Sequence, residues 1–561
     1  MRESPWPPSL QSPENSASIP RRGRLTSHSF SHPFLTGSPP TFWHGFVTWE
    51  LLKRALQVDQ APRGVCHLFN RIQLSSIWPR WFKESSCVII PKPNKPKYNV
   101  PKAFQPISLL NTLGKLLTKM IATRMQFNCL KHNILHPGQC GSVKKHATID
   151  AGVTLASFIA ESRELGLHSS ACTFDISQFF PSLSHRITTH ILAQFGFSQT
   201  LITILQSYFD SRVTQYRWDL AMSKEYNFSI GTPQGDCILP ILSAIYLAMG
   251  LRIATPLPFP PPNVRSLFFV NDGLLYCASK SLDQNTRRIE RRLDGIQSVL
   301  AQLGLFIDID KTELIHFPGY VTKGTARKLV VLLHEPALKV HNMAIKDTWT
   351  TIQPKKTIRY LGFFFDSELN WNTHISFYFN RAFSTIRVLR MLGSSICGLG
   401  TLQKRHTYQA CVLPVLAYGL LLWFTQDGAG IKKQLSRVNK VHMHACKWIM
   451  GCFRTTPIGA REVIAGLPPL IMLLNAQLHG FCAQIAALLP NHILCTSMTQ
   501  KWTNLAYAQI SRKTRPAHLP SDVPFQHLQT HLIQEQFEYA SDHQQPGKRA
   551  MANGSQSTPL H

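Results

Sequence analysis

Acidic residues are scarce in this sequence: 30 Asp and Glu stand against 59 Lys and Arg, a formal net charge of +29 with a pI near 9.8. The imbalance points to a polyanionic partner, nucleic acid first, because phosphate neutralisation by many cations supplies most sequence-independent affinity. A solvated basic surface would give the same balance, and an anionic membrane surface is the competing partner. Long hydrophobic runs are missing too. The longest, Ala410 to Phe424, is broken by Pro414 and Gly419 and falls short of the roughly 18–20 residues a bilayer needs, so no membrane partner is expected. The N-terminus has no apolar signal region, and the 13 Cys residues are odd in number and irregularly spaced. A reduced intracellular setting, nucleus or cytoplasm, follows as the expectation. No CxxC pair completes the cluster of His442, His444, Cys446 and Cys452, which reads as helical core packing in preference to zinc.

What is present is a chain of 561 residues, 44% hydrophobic and 16% charged, which predicts a mostly folded protein with more than one packed unit. Residues 1–44 are dense in Pro and Ser around the basic knot Arg21-Arg22-Gly23-Arg24, a composition expected to stay disordered. A polar tail is expected over 501–561. Between them, a helical extension is expected at 45–84, the main chemistry-bearing segment at 85–365 and a helical segment at 366–500.

Within the body, Val88-Ile89-Ile90 predicts a strand, followed by Pro91-Lys92-Pro93-Asn94-Lys95-Pro96-Lys97, where prolines alternate with cations and hold the loop extended. Leu113 to Met125 has apolar residues at helical spacing with Lys115, Lys119 and Arg124 to one side. A basic helix beside a basic loop suits a phosphate-lined channel, although a solvated helix face looks the same. Ala171-Cys172-Thr173-Phe174-Asp175-Ile176 reads as a buried strand ending in a carboxylate. A lone Asp there is commonly a helix cap. Gly231-Thr232-Pro233-Gln234-Gly235 is a turn leading into an apolar helix, Leu239 to Met249. Leu267-Phe268-Phe269-Val270-Asn271-Asp272-Gly273-Leu274-Leu275-Tyr276 reads as two apolar strands joined by a tight turn bearing a carboxylate, and Lys311-Thr312-Glu313 follows.

In this order the segments resemble the reverse transcriptase domain of non-LTR (LINE-type) retrotransposons, with a texture closest to fungal copies. The likeness runs from about Trp49 to Pro490. It also takes in Phe104-Gln105-Pro106-Ile107-Ser108-Leu109-Leu110-Asn111, Gly138-Gln139-Cys140-Gly141-Ser142, Phe179-Phe180-Pro181-Ser182-Leu183, Arg359-Tyr360-Leu361-Gly362 and Phe453-Arg454-Thr455-Thr456-Pro457. The resemblance implies an α+β right-hand polymerase: fingers and palm with an antiparallel sheet, then a helical thumb and C-terminal helical extension.

It further implies nucleotidyl transfer through two Mg2+ ions, with Mn2+ as substitute, held by Asp175, Asp272 and the Ile176 carbonyl. RNA template, DNA primer and dNTPs are the implied partners. Phe180 falls where the family sets a ring against the incoming sugar, and Gln234 where it supports the template and nascent pair. Lys311 matches a lysine proposed to protonate departing pyrophosphate; a surface cation after a strand would look the same. Lys92 and Lys95 match contacts to template or triphosphate.

Three positions depart from the family. Asn271 stands where the first of two adjacent Asp residues is usual, Gln105 where an Arg precedes Pro-Ile, and Cys140 where an aromatic is common. No endonuclease is recognisable upstream and no RNase H downstream, so the expectation is a truncated, decaying copy of a mobile element. The alternative expectation is a catalytically inactive nucleic-acid-binding remnant with the same fold.

Overall fold

The computed structural model describes residues 47–486, apart from Asp59, 94–95, 219–220, 255–263, 324–325, 344–347, 393–397, 425–430 and Arg454, together with Leu488 and Leu494. The expected tails at 1–44 and 501–561, and Lys95, lie outside the described residues. The chain divides into two compact units, Met1–Ser376 and Phe377–His561.

The first unit opens with helices α1 (Trp49–Ala55) and α2 (Gln60–Ser75), then β1 (Glu84–Pro91), β2 (Phe104–Leu110), α3 (Thr112–Lys131) and α4 (Thr148–Glu164). Next come β3 (His168–Ile176), α5 (His185–Gln194), α6 (Gln199–Phe209), β4 (Arg212–Trp218) and β5 (Ala221–Phe228). Helix α7 (Leu239–Ala254), strands β6 (Arg265–Phe269) and β7 (Asp272–Ser279), helix α8 (Leu282–Gln302) and β8 (Ile307–Phe317) follow. Three short antiparallel hairpins close the unit: β9 (Tyr320–Lys323) with β10 (Ala326–Leu329), β11 (Leu338–Asn342) with β12 (Thr348–Ile352), and β13 (Thr357–Tyr360) with β14 (Phe363–Asp366).

Two sheets organise these elements. The first has the order β2-β1-β4-β5, with β1 and β4 parallel and the other pairs antiparallel. Parallel neighbours need a crossover, and here the chain from Lys92 to Ser211 supplies it, carrying β3 into the second sheet on the way. That second sheet has the order β6-β7-β3-β8 and is antiparallel throughout.

Local chemistry explains the helices around it. Asn111 caps α3, its side-chain oxygen accepting from Leu113 N at 3.0 Å and Gly114 N at 3.2 Å. The helix runs on to Lys131, with buried Met125 and Cys129 continuing its inner face beyond the stretch that apolar spacing predicts. Helix α7 is apolar on every side and buried along most of its length, the signature of a core helix, and it too outruns the predicted Leu239–Met249. Helix α8 is amphipathic instead: Ile289, Leu293, Ile296 and Leu300 face the core while Arg287 and Arg291 are exposed. One core joins Phe174 and Ile176 of β3, Phe268 of β6, Leu275 of β7, Ile245 and Tyr246 of α7 and the apolar face of α8.

Helix α9 (Asn372–Leu389) spans the division between the units. The second unit continues with α10 (Thr401–Cys411), α11 (Leu413–Leu416), α12 (Leu420–Trp423), α13 (Ile431–Met450), α14 (Ile458–Ala465) and α15 (Leu470–Ala486). The apolar run Ala410–Phe424 therefore breaks into short pieces, with Gly419 at φ 69° capping α12. No single helix among the described residues is long and apolar enough to cross a membrane. His442 and Cys446 are buried on α13, and His442 Nδ1 hydrogen-bonds the Tyr408 hydroxyl at 2.8 Å. Among the described residues no three His, Cys, Asp or Glu side chains converge on a metal position.

Gly273 of β7 shows how tightly the second sheet is packed. A Cβ there would lie 2.2 Å from the Phe174 ring on β3. Gly273→Ala is expected to lower the unfolding free energy by about 1–3 kcal/mol. Adding Phe174→Leu should recover part of the loss, since the two sites are in contact. Urea titration of the natural chain and both variants measures this; identical midpoints for all would show that the ring yields without cost.

Candidate active site

The second sheet places carboxylates on adjacent strands. Asp175 of β3 pairs directly with Asp272 of β7 on one side and with Asp308 of β8 on the other. Like charges directly opposite one another repel, so the surroundings must hold them in place.

Asp272 follows a two-residue turn, Val270-Asn271, closed by the pair Phe269 and Asp272. Val270 has φ 62°. Glycine usually supplies this conformation at the first position of such a turn, and a side chain there costs on the order of 1–3 kcal/mol. Gln139 offsets the strain. Buried beside the turn, its Oε1 accepts from Val270 N at 3.1 Å and Gly141 N at 3.2 Å. The Gln139 segment is itself laid along β6, with Phe268 N donating to Gly138 O at 2.7 Å and Cys140 N donating to Phe268 O at 2.8 Å. On the other side of the turn, Ile176 N donates to Asn271 O at 3.0 Å, tying the end of β3 to the hairpin.

Both oxygens of Asp175 are engaged. The Asn271 side-chain amide donates to Oδ1 and the Lys311 ammonium to Oδ2. Lys311 Nζ also lies 3.2 Å from Asp308 Oδ2. Lys311 sits inside β8, not beyond its end, and its cation is aimed at the carboxylates instead of at solvent alone. Burial by itself would lower its pKa, but the hydrogen bonds and charges of Asp175 and Asp308 outweigh that and raise it. Asp272 is pushed up to about 6, chiefly by burial and then by the Asp175 charge, with Lys311 pulling the other way.

The Gly231–Gly235 turn lies beside the end of β3. Gly231 N donates to Leu183 O at 2.8 Å and Thr232 N to Phe180 O at 3.2 Å. Gly231, at φ 80°, approaches so closely that a Cβ would lie 2.5 Å from Pro181 O. Ser108 N donates to Gln234 O at 2.7 Å, stitching the turn to β2 of the first sheet. The Gln234 side-chain oxygen is buried and finds no donor among the described residues.

Asp175, Ile176, Asn271, Asp272 and Lys311 are thus brought together, with Phe180 just past the end of β3 and Gln234 on the adjoining turn. Gln105 and Lys92 stand on the first sheet: Gln105 is exposed opposite Ile90, and Lys92 N donates to Ala103 O at 2.8 Å. Sequence reading assigned no role to three residues that matter here. Gln139 holds the turn, and Asp308 flanks Lys311. Tyr360 is buried with its hydroxyl held well above its ordinary pKa by burial and then by Cys140 and Asp272. Asp308 had one available signal, its position three residues before Lys311. Cys140, the departure from an aromatic, is buried, and burial followed by Asp150 pushes its thiol up to about 12.

The donor set can be tested against a divalent cation. Mg2+ takes hard oxygens, commonly one or two carboxylates plus phosphate and water. By donor type Asp175, Asp272 and the Ile176 carbonyl fit one such ion, although both Asp175 oxygens are paired with Asn271 and Lys311 here. A second ion would have to share these carboxylates or draw on Asp308, which stands opposite Asp175, because Asn271 contributes no charge.

Residues 90–365 match the family described as "Reverse transcriptase (RNA-dependent DNA polymerase)". The chain is 22% identical over 392 residues to a probable RNA-directed DNA polymerase from transposon BS of Drosophila melanogaster, covering 69% of this chain and 40% of that protein. It is 23% identical over 399 residues to the RNA-directed DNA polymerase from mobile element jockey of the same species, covering 70% and 40%. The matched region thus spans about 40% of the length of these relatives. Among solved structures, telomerase from Candida albicans in complex with a telomeric RNA fragment aligns with 77% of this chain and 68% of its own, at 11% identity and a TM-score of 0.34. The matched segment is accordingly related to reverse transcriptase domains, those of non-LTR retrotransposons included, and by that relationship its two sheets correspond to the fingers and the palm of a polymerase.

The raised Asp272 gives a pH prediction. Its folded pKa lies above the ordinary 3.8, so the neutral form is the one the fold favours. The stability it contributes is complete below about pH 4 and lost as pH rises through about 6, a difference of roughly 3 kcal/mol. Asp272→Asn should therefore be more stable than the natural chain near pH 7.5 in metal-free buffer. That advantage should vanish by about pH 4. Chemical denaturation at both pH values checks it, and an advantage independent of pH would remove burial of the charge as its cause.

Proposed function

We propose that the palm sheet is the nucleotidyl-transfer site of a non-LTR reverse transcriptase, an RNA-directed DNA polymerase weakened at one ligand position. The observation that supports this most directly is Asp175 facing Asp272 in register, with the Lys311 cation on Asp175, inside the segment that matches the reverse transcriptase family. RNA template, DNA primer and dNTPs are the proposed substrates and partners.

In this reading Asp175, Asp272 and the Ile176 carbonyl hold Mg2+ or Mn2+. When bound, the metal supplies positive charge to the attacking and leaving oxygens of an in-line displacement. Lys311 stays protonated between Asp175 and Asp308 and delivers its proton to the departing pyrophosphate. Phe180 sets a ring at the incoming sugar and disfavours a 2′-hydroxyl. Gln234, its backbone carbonyl fixed by Ser108, supports the template and the nascent pair from the turn. Lys92 and Lys95 contact template or triphosphate from the fingers, where the uncharged Gln105 grips less firmly than a cation.

Asn271 sets the ceiling on rate. Loss of one preorganised neutral donor in such a site costs about 2.7–4 kcal/mol, or 10²–10³ in rate, and loss of a charged ligand costs at least as much. A second reading follows from the same residue: with the Asn271 amide donating to Asp175, an oxygen that a metal would use is occupied, which favours a nucleic-acid-binding protein that does not extend primers.

Primer extension on an RNA template with dNTPs and Mg2+ or Mn2+ separates the two. The natural chain is expected to extend slowly and Asn271→Asp about 10²-fold or more faster. No gain in the Asp variant, with binding intact, would refute the role given to this position.

A further inference from the structure

The fingers sheet carries a feature that the palm chemistry does not use. Aromatic side chains from three separate segments, the loop after β1, β2 and β4, collect at its open end. Tyr98, on the loop after β1, meets Phe104 of β2 with ring centroids 6.0 Å apart, and Phe104 meets Trp218 of β4 at 5.4 Å. Because β1 lies between β2 and β4, the last contact reaches over the end of β1. Along the same hairpin Tyr216 of β4 meets Tyr226 of β5 at 5.7 Å.

These rings are not core. Tyr98, Trp218 and Tyr226 are 47%, 50% and 44% exposed, unusual for side chains that a sheet normally buries. Several surface aromatics gathered on one sheet, instead of scattered singly, mark a binding surface.

Charge identifies the partner. Lys97, next to Tyr98 in sequence, and Lys224 are exposed, and Lys224 Nζ lies 5.7 Å from the Tyr226 centroid. The Tyr98 hydroxyl donates to the Lys92 carbonyl at 2.8 Å, pinning the basic loop against the strip. Glu225 is the single carboxylate on β4 and β5. Exposed π faces bordered by cations fit bases in single strands, which stack on aromatic rings while lysines follow the phosphates. A duplex keeps its bases stacked on one another and cannot use the rings.

We propose that Tyr98, Phe104 and Trp218, extended by Tyr216 and Tyr226, form a sequence-tolerant stacking site for single-stranded nucleic acid. The site needs neither the palm carboxylates nor a divalent cation. Its fate is therefore separable from that of the polymerase reading.

The test uses the full chain, fluorescein-labelled oligothymidylate and oligouridylate of about 15 nucleotides, and a duplex of the same length, with EDTA and no dNTP. Anisotropy titration should show Trp218→Ala and Tyr98→Ala each weakening single-strand binding about tenfold, while Trp218→Phe stays within about threefold of the natural chain. Binding of the duplex should be unchanged in all variants. Equal loss in Trp218→Phe and Trp218→Ala, equal loss for duplex, or no loss in either Ala variant would each overturn the stacking site. Tyr98→Ala, on an exposed loop, keeps the question open to decision should a Trp218 variant fold poorly by circular dichroism.

Discussion

The antiparallel register between β3 and β7 is the constraint on which the palm depends. Side chains along a strand alternate between faces, so a slip of one residue would carry Asp175 or Asp272 to the opposite side of the sheet. Nothing intrinsic to two facing carboxylates favours that register, since their charges oppose it. It is fixed by apolar contacts immediately beside them: Phe174 fills the space over Gly273, and the core seals Ile176, Phe268 and Leu275 around it. Hydrophobic packing holds the charged pair in position, and the turn built on Val270 completes it only because Gln139 stabilises a backbone that valine disfavours.

Within that frame Asn271 has two opposed effects. An Asp at this position would set another charge against Asp175, beside Asp272, which burial and Asp175 already raise to about 6. Without a cation this would destabilise the folded state. Asn instead donates to Asp175 and, with Lys311, leaves that carboxylate fully paired. On the proposed function the same neutral amide also withholds the charge that an Asp would offer to a metal. The exchange follows the general conflict between stability and a strained, charged active site: on the proposed function Asn271 favours the metal-free fold at the expense of the ions that the reaction uses.

The carboxylate-bearing strands were legible because each is an apolar run that ends or begins at an Asp, and because the order of the segments matched a family. What sequence could not give came from long-range pairing. Asp308 and Asp310 alternate with Ile307 and Ile309 in the usual strand pattern, and only the irregularity in the β3–β8 ladder between Thr173 and Asp175 decides that Asp308 faces Asp175. Gln139 acts on a turn more than a hundred residues away in sequence. Helix lengths were underestimated where burial, as of Cys129 in α3 and along α7, carries a helix past its obvious periodic stretch. The aromatic strip was invisible for the same reason as Asp308: Tyr98, Phe104, Trp218 and Tyr226 are ordinary residues until β1 pairs with both β2 and β4.

That pairing also ties the fingers to the palm. The parallel β1–β4 ladder forms only after the chain has passed through α3, α4, β3, α5 and α6, and Ser108 of β2 then binds the turn that carries Gln234. A substitution that unfolds β3 therefore removes the fingers sheet as well. A substitution that changes only the charge at the palm does not, because no hydrogen bond in the fingers sheet depends on that charge. Replacing an Asp by Asn at position 271 is of the second kind. It alters the charge beside Asp175 and Asp272 while leaving intact the packing that presents cations and aromatic rings, so on the proposed function nucleic-acid binding outlasts catalysis when a ligand is lost.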